Sequence, residues 1–133
     1  MEDQFRLPDE IALDASIRGN EYGWRIEQFP SAIENAKRLG FACLGGQFQF
    51  RFPDGIFEMY WLYADSESRT FTESAVSYVQ SSCDEVLASF KKRVADSDFI
   101  SEGGDYVQEQ LRIGLNPMDH LVFVAYFERQ NLD

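Results

Sequence analysis

The segment from residue 47 to residue 63 constrains the fold most strongly. Polar and aromatic residues alternate strictly over Gln47–Phe52, so three phenylalanines share one face of a predicted strand. Pro53-Asp54-Gly55 is a turn sequence, and aromatic residues typical of strands resume over 57–63. These segments predict a β-hairpin within residues 41–64. Its second strand is apolar on both faces, which predicts either an interior strand or a face that meets a partner.

Helical patterns flank the hairpin on both sides. Ser31 with Glu34, and Thr70 with Glu73, have the spacing of capping boxes and predict two helix starts. The second start opens the longest predicted helix, whose buried face comprises Val76, Val79, Cys83, Val86, Leu87, Phe90 and Val94. Residues 96–105 are polar and include two glycines, which predicts a loop before a short helix over 106–113.

The run Leu121–Phe127 is almost entirely apolar, which predicts a strand covered on both faces at the centre of the sheet. The resulting fold class is α+β: an antiparallel sheet with the hairpin 41–64 and a central C-terminal strand, and helices packed mainly on one face. No linker or repeat is visible, so residues 1–133 are predicted to form a single domain. Residues 1–20 are weakly periodic and fit either a short helix or an extended arm.

The charge of the chain restricts its partners. Twelve Lys and Arg residues stand against 23 Asp and Glu residues, which gives a formal net charge of −11. This charge repels nucleic acids and anionic membranes and attracts basic proteins, although it is also explained by solubility alone. No apolar run approaches the about 20 residues that span a bilayer. The acidic start Met1–Arg6 is unlike a signal peptide, so a cytoplasmic location is expected.

The sequence offers few groups for catalysis or metal binding. His120 is the only histidine, and it enters a predicted core strand, where a structural role is expected. Gly45-Gly46 precedes a strand and not a helix, so it predicts a bulge or a close backbone approach and no phosphate loop. Cys43 and Cys83 are not in a CxxC pair and are expected to be buried free thiols. We therefore predict a protein that is not an enzyme and has neither cofactor nor metal.

Two stretches of the hairpin, Leu44–Gly55 and Met59–Tyr63, resemble small bacterial immunity proteins of polymorphic and contact-dependent toxin systems. The resemblance covers the middle of the chain and rests on structural motifs. It implies a cytoplasmic inhibitor that covers the active site of a toxin domain. Because toxin nucleases are often basic, an acidic inhibitor would match such a surface electrostatically.

The leading hypothesis is therefore a binding protein, monomeric or homodimeric, whose partner is basic and possibly a toxin nuclease domain. Its candidate contacts, chosen for predicted exposure, acidity or aromatic character, are Glu58, Tyr60, Asp65, Glu67, Asp84 and Glu85. One alternative is a small-molecule-binding domain or unrecognised enzyme in which His120, Glu58 and Tyr60 converge in a pocket between sheet and helix. Another is a structural subunit that oligomerises through the aromatic hairpin.

Overall fold

The structure is a computed structural model that describes residues 6–131, and its α+β class agrees with the sequence prediction. In chain order, its elements are α1 (Asp9–Ala12), β1 (Ser16–Arg18), β2 (Glu21–Arg25), α2 (Phe29–Arg38), β3 (Phe41–Phe52), β4 (Gly55–Asp65), α3 (Ala75–Asp96), α4 (Phe99–Arg112), a 3-10 turn (Pro117–His120) and β5 (Leu121–Arg129). Within this range the strands form one antiparallel sheet in the order β1-β2-β5-β3-β4.

The prediction of a central C-terminal strand is confirmed, since β5 lies between β2 and β3 and is buried over 121–125. The predicted hairpin is confirmed as β3 and β4. However, β4 is the last strand of the sheet, so the prediction of an interior second strand is wrong. The apolar residues on both faces of β4 therefore have another cause, which lies in a bulge described below.

The core lies on the face of the sheet that the helices cover. The ring of Phe123 is 4.7 Å from Phe29 of α2, 4.8 Å from Phe48 of β3 and 5.1 Å from Phe90 of α3, measured between ring centroids. Phe48 also contacts Phe99 at the start of α4, at 4.9 Å. This cluster joins three helices to two adjacent strands, and such tilted ring pairs add to the stabilisation from burial.

The predicted buried stripe of α3 is confirmed in part. Val79, Cys83, Val86 and Phe90 are buried, Leu87 and Val94 are partly buried against the core, and Val76 in the first turn is 57% exposed. Cys83 is buried in this stripe, and Cys43 is buried on β3; both are free thiols, as expected. Burial raises the pKa of Cys83 to about 11, so the reactive thiolate is scarce at neutral pH.

The loop predicted over residues 96–105 is wrong, because α4 begins at Phe99 within that range. Asp98 caps the helix by accepting a hydrogen bond from the Ser101 amide at 3.2 Å. Gly104 has a φ of 56°, so this one glycine forms a kink inside α4 where a loop was predicted. The sequence signal for a break was therefore real, but its extent was one residue.

Both predicted capping boxes are also wrong in position. Helix α2 begins at Phe29, ahead of Ser31, and Pro30 occupies its first turn, where a missing N–H has no consequence. Helix α3 begins at Ala75, and its cap is Ser74, whose hydroxyl accepts from the Ser77 amide at 3.1 Å. Both helix starts thus lie a few residues from the predicted caps, that of α2 before Ser31 and that of α3 after Thr70.

The corrected cap positions give a first testable prediction. We expect Ser74→Ala to lower the free energy of unfolding by about 1 kcal/mol, because a helix amide loses its acceptor. The matched variant Ser31→Ala lies inside α2 and makes no cap, so we expect a change within about 0.5 kcal/mol. Urea denaturation followed by circular dichroism measures both changes. Equal losses of stability in the two variants would indicate that Ser31 also caps a helix, as the sequence predicts.

Candidate functional site

The outer strand β4 contains a large bulge. Phe48 of β3 pairs with Met59, but the preceding residue Gln47 pairs with Tyr63, so three residues of β4 have no counterpart across the ladder. The insertion changes which side chains face the core: Met59 is buried before it, and Leu62 is buried within it. A strict alternation cannot describe this strand, which explains the apolar residues on both of its apparent faces.

The bulge presents a group of aromatic side chains on the surface. Tyr60 is 70% exposed and Trp61 is 38% exposed, and their rings meet edge to face at 5.2 Å. Trp61 packs against Phe57 at 6.2 Å and donates a hydrogen bond from Nε1 to Glu102 of α4 at 2.6 Å. The indole is therefore held in place by two elements, while Tyr60 projects into solvent.

Tyr63 extends this aromatic group along the strand. Its ring is half exposed and lies 5.4 Å from the guanidinium carbon of Arg93, a distance typical of a cation–π contact. Arg93 Nε also donates to the backbone carbonyl of Tyr63 at 3.0 Å, so the side chain from α3 covers part of the strand edge. We call Tyr60, Trp61 and Tyr63, with Glu58 and Asp65 that flank them in sequence along β4, the bulge surface. Glu58 pairs with Gln49 before the bulge and lies on the opposite face of the strand from Met59.

All six candidate contacts predicted from the sequence are exposed, but the structure places them in three locations. Glu58, Tyr60 and Asp65 lie on β4 and belong to the bulge surface. Glu67 follows the strand, and its amide donates to the carboxylate of Glu85 on α3 at 2.9 Å.

Asp84, another of the six candidates, is bound within the protein by a lysine. Its carboxylate accepts from Lys37 Nζ of α2 at 2.9 Å, and Glu34 lies 3.2 Å from the same ammonium group. Their hydrogen bonds and charges raise the pKa of Lys37, with the Asp84 hydrogen bond as the largest cause. Asp84 therefore joins α2 to α3 and is less available to a partner than the acids on β4.

Sequence reasoning missed Trp61, Tyr63 and Glu102 as surface residues. Regular alternation through residues 59–63 predicts that Trp61 and Tyr63 share the face of the buried Met59, and the bulge breaks this alternation. The signal that could have found them is the absence of a polar face in residues 59–63 of a hairpin strand, which regular alternation does not explain.

The three residues of the small-molecule alternative do not converge. His120 lines a cavity of about 270 Å³ whose walls include Arg18, Arg25 and Arg51, but neither Glu58 nor Tyr60. The His120 Nδ1 atom lies 3.2 Å from the Arg51 carbonyl oxygen, and its ring contacts Phe52 at 5.2 Å. These contacts hold the imidazole against the end of β3.

Between residues 6 and 131, no group of three or more His, Cys, Asp or Glu side chains is arranged to hold a metal ion. Over the same range, no helix has both the length and the apolar character needed to cross a bilayer. Comparisons with protein family models, with curated proteins and with solved structures found no significant match.

Proposed function

We propose that this protein is a non-catalytic binding protein that docks a basic protein partner on the bulge surface. The observation that carries the proposal is the three-residue bulge in β4, which holds Tyr60 and Trp61 on an outer strand between Glu58 and Asp65. Tyrosine and tryptophan are the residues most often found at the energetic centre of protein interfaces.

The bulge favours binding through side chains over the addition of a partner strand. An outer strand can pair with another chain only along a continuous row of free amide and carbonyl groups. In β4 the bulge interrupts that row, and the Tyr63 carbonyl already accepts a hydrogen bond from Arg93. The Trp61 ring is already fixed by Phe57 and Glu102, so little side-chain entropy is lost when a partner covers it.

Charge supports a basic partner. Glu58 and Asp65 flank the aromatic side chains, and the whole chain carries a formal charge of −11. The field of such a chain accelerates encounters with a cationic surface, and exposed carboxylates then form charge-assisted hydrogen bonds to Arg and Lys. The resemblance of the hairpin to immunity proteins supports a toxin domain as this partner, with inhibition achieved by covering its active site.

The test uses purified basic proteins encoded beside the gene, each titrated against the full chain by calorimetry. For the partner that binds, we expect Tyr60→Ala to weaken the affinity about 30-fold, because an anchor of this kind contributes about 2 kcal/mol. We expect Glu58→Lys to slow association and to reduce its dependence on salt.

Matched controls separate the site from the general properties of the chain. Ile113→Ala removes a similarly exposed apolar side chain beyond α4, and Glu10→Lys makes the same charge change on α1; both should bind like the natural protein. If Tyr60→Ala and Ile113→Ala bind equally well, the bulge surface is not the interface. If no basic neighbour binds and the protein protects cells from no toxin, the proposed partner class is wrong.

Oligomerisation through the same aromatic side chains is the competing role for this surface. Sedimentation velocity across a concentration series distinguishes it, because self-association through the bulge would disappear in Tyr60→Ala. A monomer at all concentrations would leave the surface free for a different partner.

A further inference from the structure

The face of the sheet opposite the helices contains a buried arginine. Arg51 alternates with Phe50 and Phe52 along β3, so its side chain lies on the other face, where it is only 6% exposed. Its Nε donates to Gln49 Oε1 at 2.7 Å, and its Nη2 donates to the carbonyl of Glu21 at 3.2 Å. Its Nη1 donates to both the carbonyl and the hydroxyl oxygen of Ser16, at 2.7 and 2.9 Å.

All of these acceptors are neutral groups. Within residues 6–131, no carboxylate lies within ion-pair distance of Arg51, although a buried charge normally has a counter-charge. Desolvation lowers the pKa of Arg51; the negative charge of Glu21 opposes this shift, and the positive charge of Arg18 adds to it. The neighbouring Gln49 is also fully buried, and its Nε2 donor has no acceptor in the described structure.

The chain makes room for this guanidinium at Gly23 of β2. A Cβ atom at this position would lie 3.0 Å from Arg51 Cζ and 2.9 Å from a methyl group of Val122. The φ of Gly23 is not positive, so the glycine is explained by space and not by backbone conformation. Arg51 can therefore cross the sheet from β3 to β1 and reach the cavity of about 270 Å³ that also contains His120.

Two more arginines line this cavity with weak partners of their own. Between residues 6 and 131, the one hydrogen bond from the Arg18 side chain is long, at 3.4 Å, and reaches the carbonyl of Phe52. Arg25 Nη2 lies 3.4 Å from Glu27 and 3.7 Å from Asp119, and its buried Nε has no acceptor in the described structure. Both side chains thus retain N–H donors that a ligand could engage.

The walls of the cavity bring cationic side chains together. Among the described residues they contain three guanidinium groups and two carboxylates, those of Asp14 and Asp119; Arg25 faces Asp119 and also Glu27, which lies outside the walls. Three cations at one cavity contrast with the formal charge of −11 on the whole chain. Because Arg51 is buried, its charge is screened less by water than that of the exposed Arg18.

We propose that this cavity binds a small molecule through an oxyanion group, a phosphate or a carboxylate, held by Arg18 and Arg51. A planar guanidinium group matches both oxyanions with two parallel hydrogen bonds, which Arg18 can offer. Beyond its four hydrogen bonds to Gln49, Ser16 and Glu21, Arg51 has one further N–H on Nη2 to donate, and the bound charge would compensate its buried guanidinium. The volume is slightly below the usual range for drug-sized ligands, which favours a compact anion. This site is separate from the bulge surface and does not depend on the proposed partner.

The test titrates the full chain with inorganic phosphate, citrate and acetate, each against sodium chloride at equal ionic strength. Arginine Nε–H signals in ¹⁵N spectra report the residues that respond, and the titration gives the dissociation constant. We expect saturable shifts of Arg18 and Arg51 signals. We also expect Arg18→Gln to raise the dissociation constant at least tenfold, because this exposed side chain can change without disturbing the fold.

The matched control is Arg38→Gln, which removes the same charge from an exposed position on α2. A response to phosphate alone assigns a phosphate compound, and a response to citrate or acetate alone assigns a carboxylate. The proposal is overturned if no probe gives saturable shifts of these signals. It is also overturned if Arg18→Gln and Arg38→Gln bind with the same affinity, which would indicate general charge attraction.

Discussion

Replacing Phe123 by alanine should lower the free energy of unfolding by about 3–5 kcal/mol, because a fully buried ring is lost and a cavity remains. This residue contacts Phe29, Phe48 and Phe90, so its ring joins α2, β3 and α3 at one point. The cavity cannot close easily, since each neighbouring ring belongs to a different element. Urea denaturation with intrinsic fluorescence measures the loss.

The control for this change is Phe71→Ala, which removes the same ring from a fully exposed position after β4. We expect that variant to stay within about 0.5 kcal/mol of the natural protein. A loss below about 1.5 kcal/mol for Phe123→Ala would mean that the surrounding rings repack, and that the cluster is less rigid than its geometry indicates.

The sequence predicted those parts of the fold that local pattern determines. The alternation in Gln47–Phe52 depends only on neighbouring residues, and β3 has the predicted face buried. The continuous apolar run in Leu121–Phe127 correctly predicted a central strand, because such a run requires cover on both sides. Exposure of the six acidic and aromatic candidates also followed from residue type and helix face.

The bulge could not be predicted, because it is a property of two strands together. Its three extra residues appear only when Gln47 is paired with Tyr63. The lack of a polar face in residues 59–63 signals an irregular strand but does not show which of these side chains face outward. The candidate site was therefore found in part: Glu58, Tyr60 and Asp65 lie on the bulge surface, but Asp84 is engaged by Lys37.

The arginine cavity was missed for a similar reason. In the sequence, Arg51 is the single basic residue of the hairpin, and Arg18 lies more than thirty positions away. Two strands, β2 and β5, separate β1 from β3 in the sheet. The Arg51 side chain crosses them and reaches Ser16 on β1, because Gly23 of β2 has no side chain in its path. Contacts between residues so far apart in the sequence depend on the tertiary fold and leave no periodic pattern in the sequence.

Replacing Gly46 by alanine should lower the free energy of unfolding by about 3 kcal/mol, the upper part of the range for overpacked cores. A Cβ atom there would collide with the carbonyl oxygen of Val124 and lie 2.7 Å from the ring carbons of Phe123. The carbonyl belongs to the backbone of the central strand, so relief requires β3 and β5 to separate locally. Circular dichroism with urea denaturation measures the change.

Two further variants identify which collision is responsible. Gly55→Ala also places a Cβ close to a neighbour, but its contact is the Tyr106 hydroxyl at 3.0 Å, which can move aside; we expect a loss below about 1 kcal/mol. Combining Gly46→Ala with Phe123→Leu removes the ring but leaves the Val124 carbonyl in place. If the backbone contact dominates, Gly46→Ala remains destabilising in that background. If Gly46→Ala causes no loss of stability in the Phe123→Leu background, the Phe123 ring alone requires glycine at position 46. The backbones of β3 and β5 would then tolerate a side chain between them.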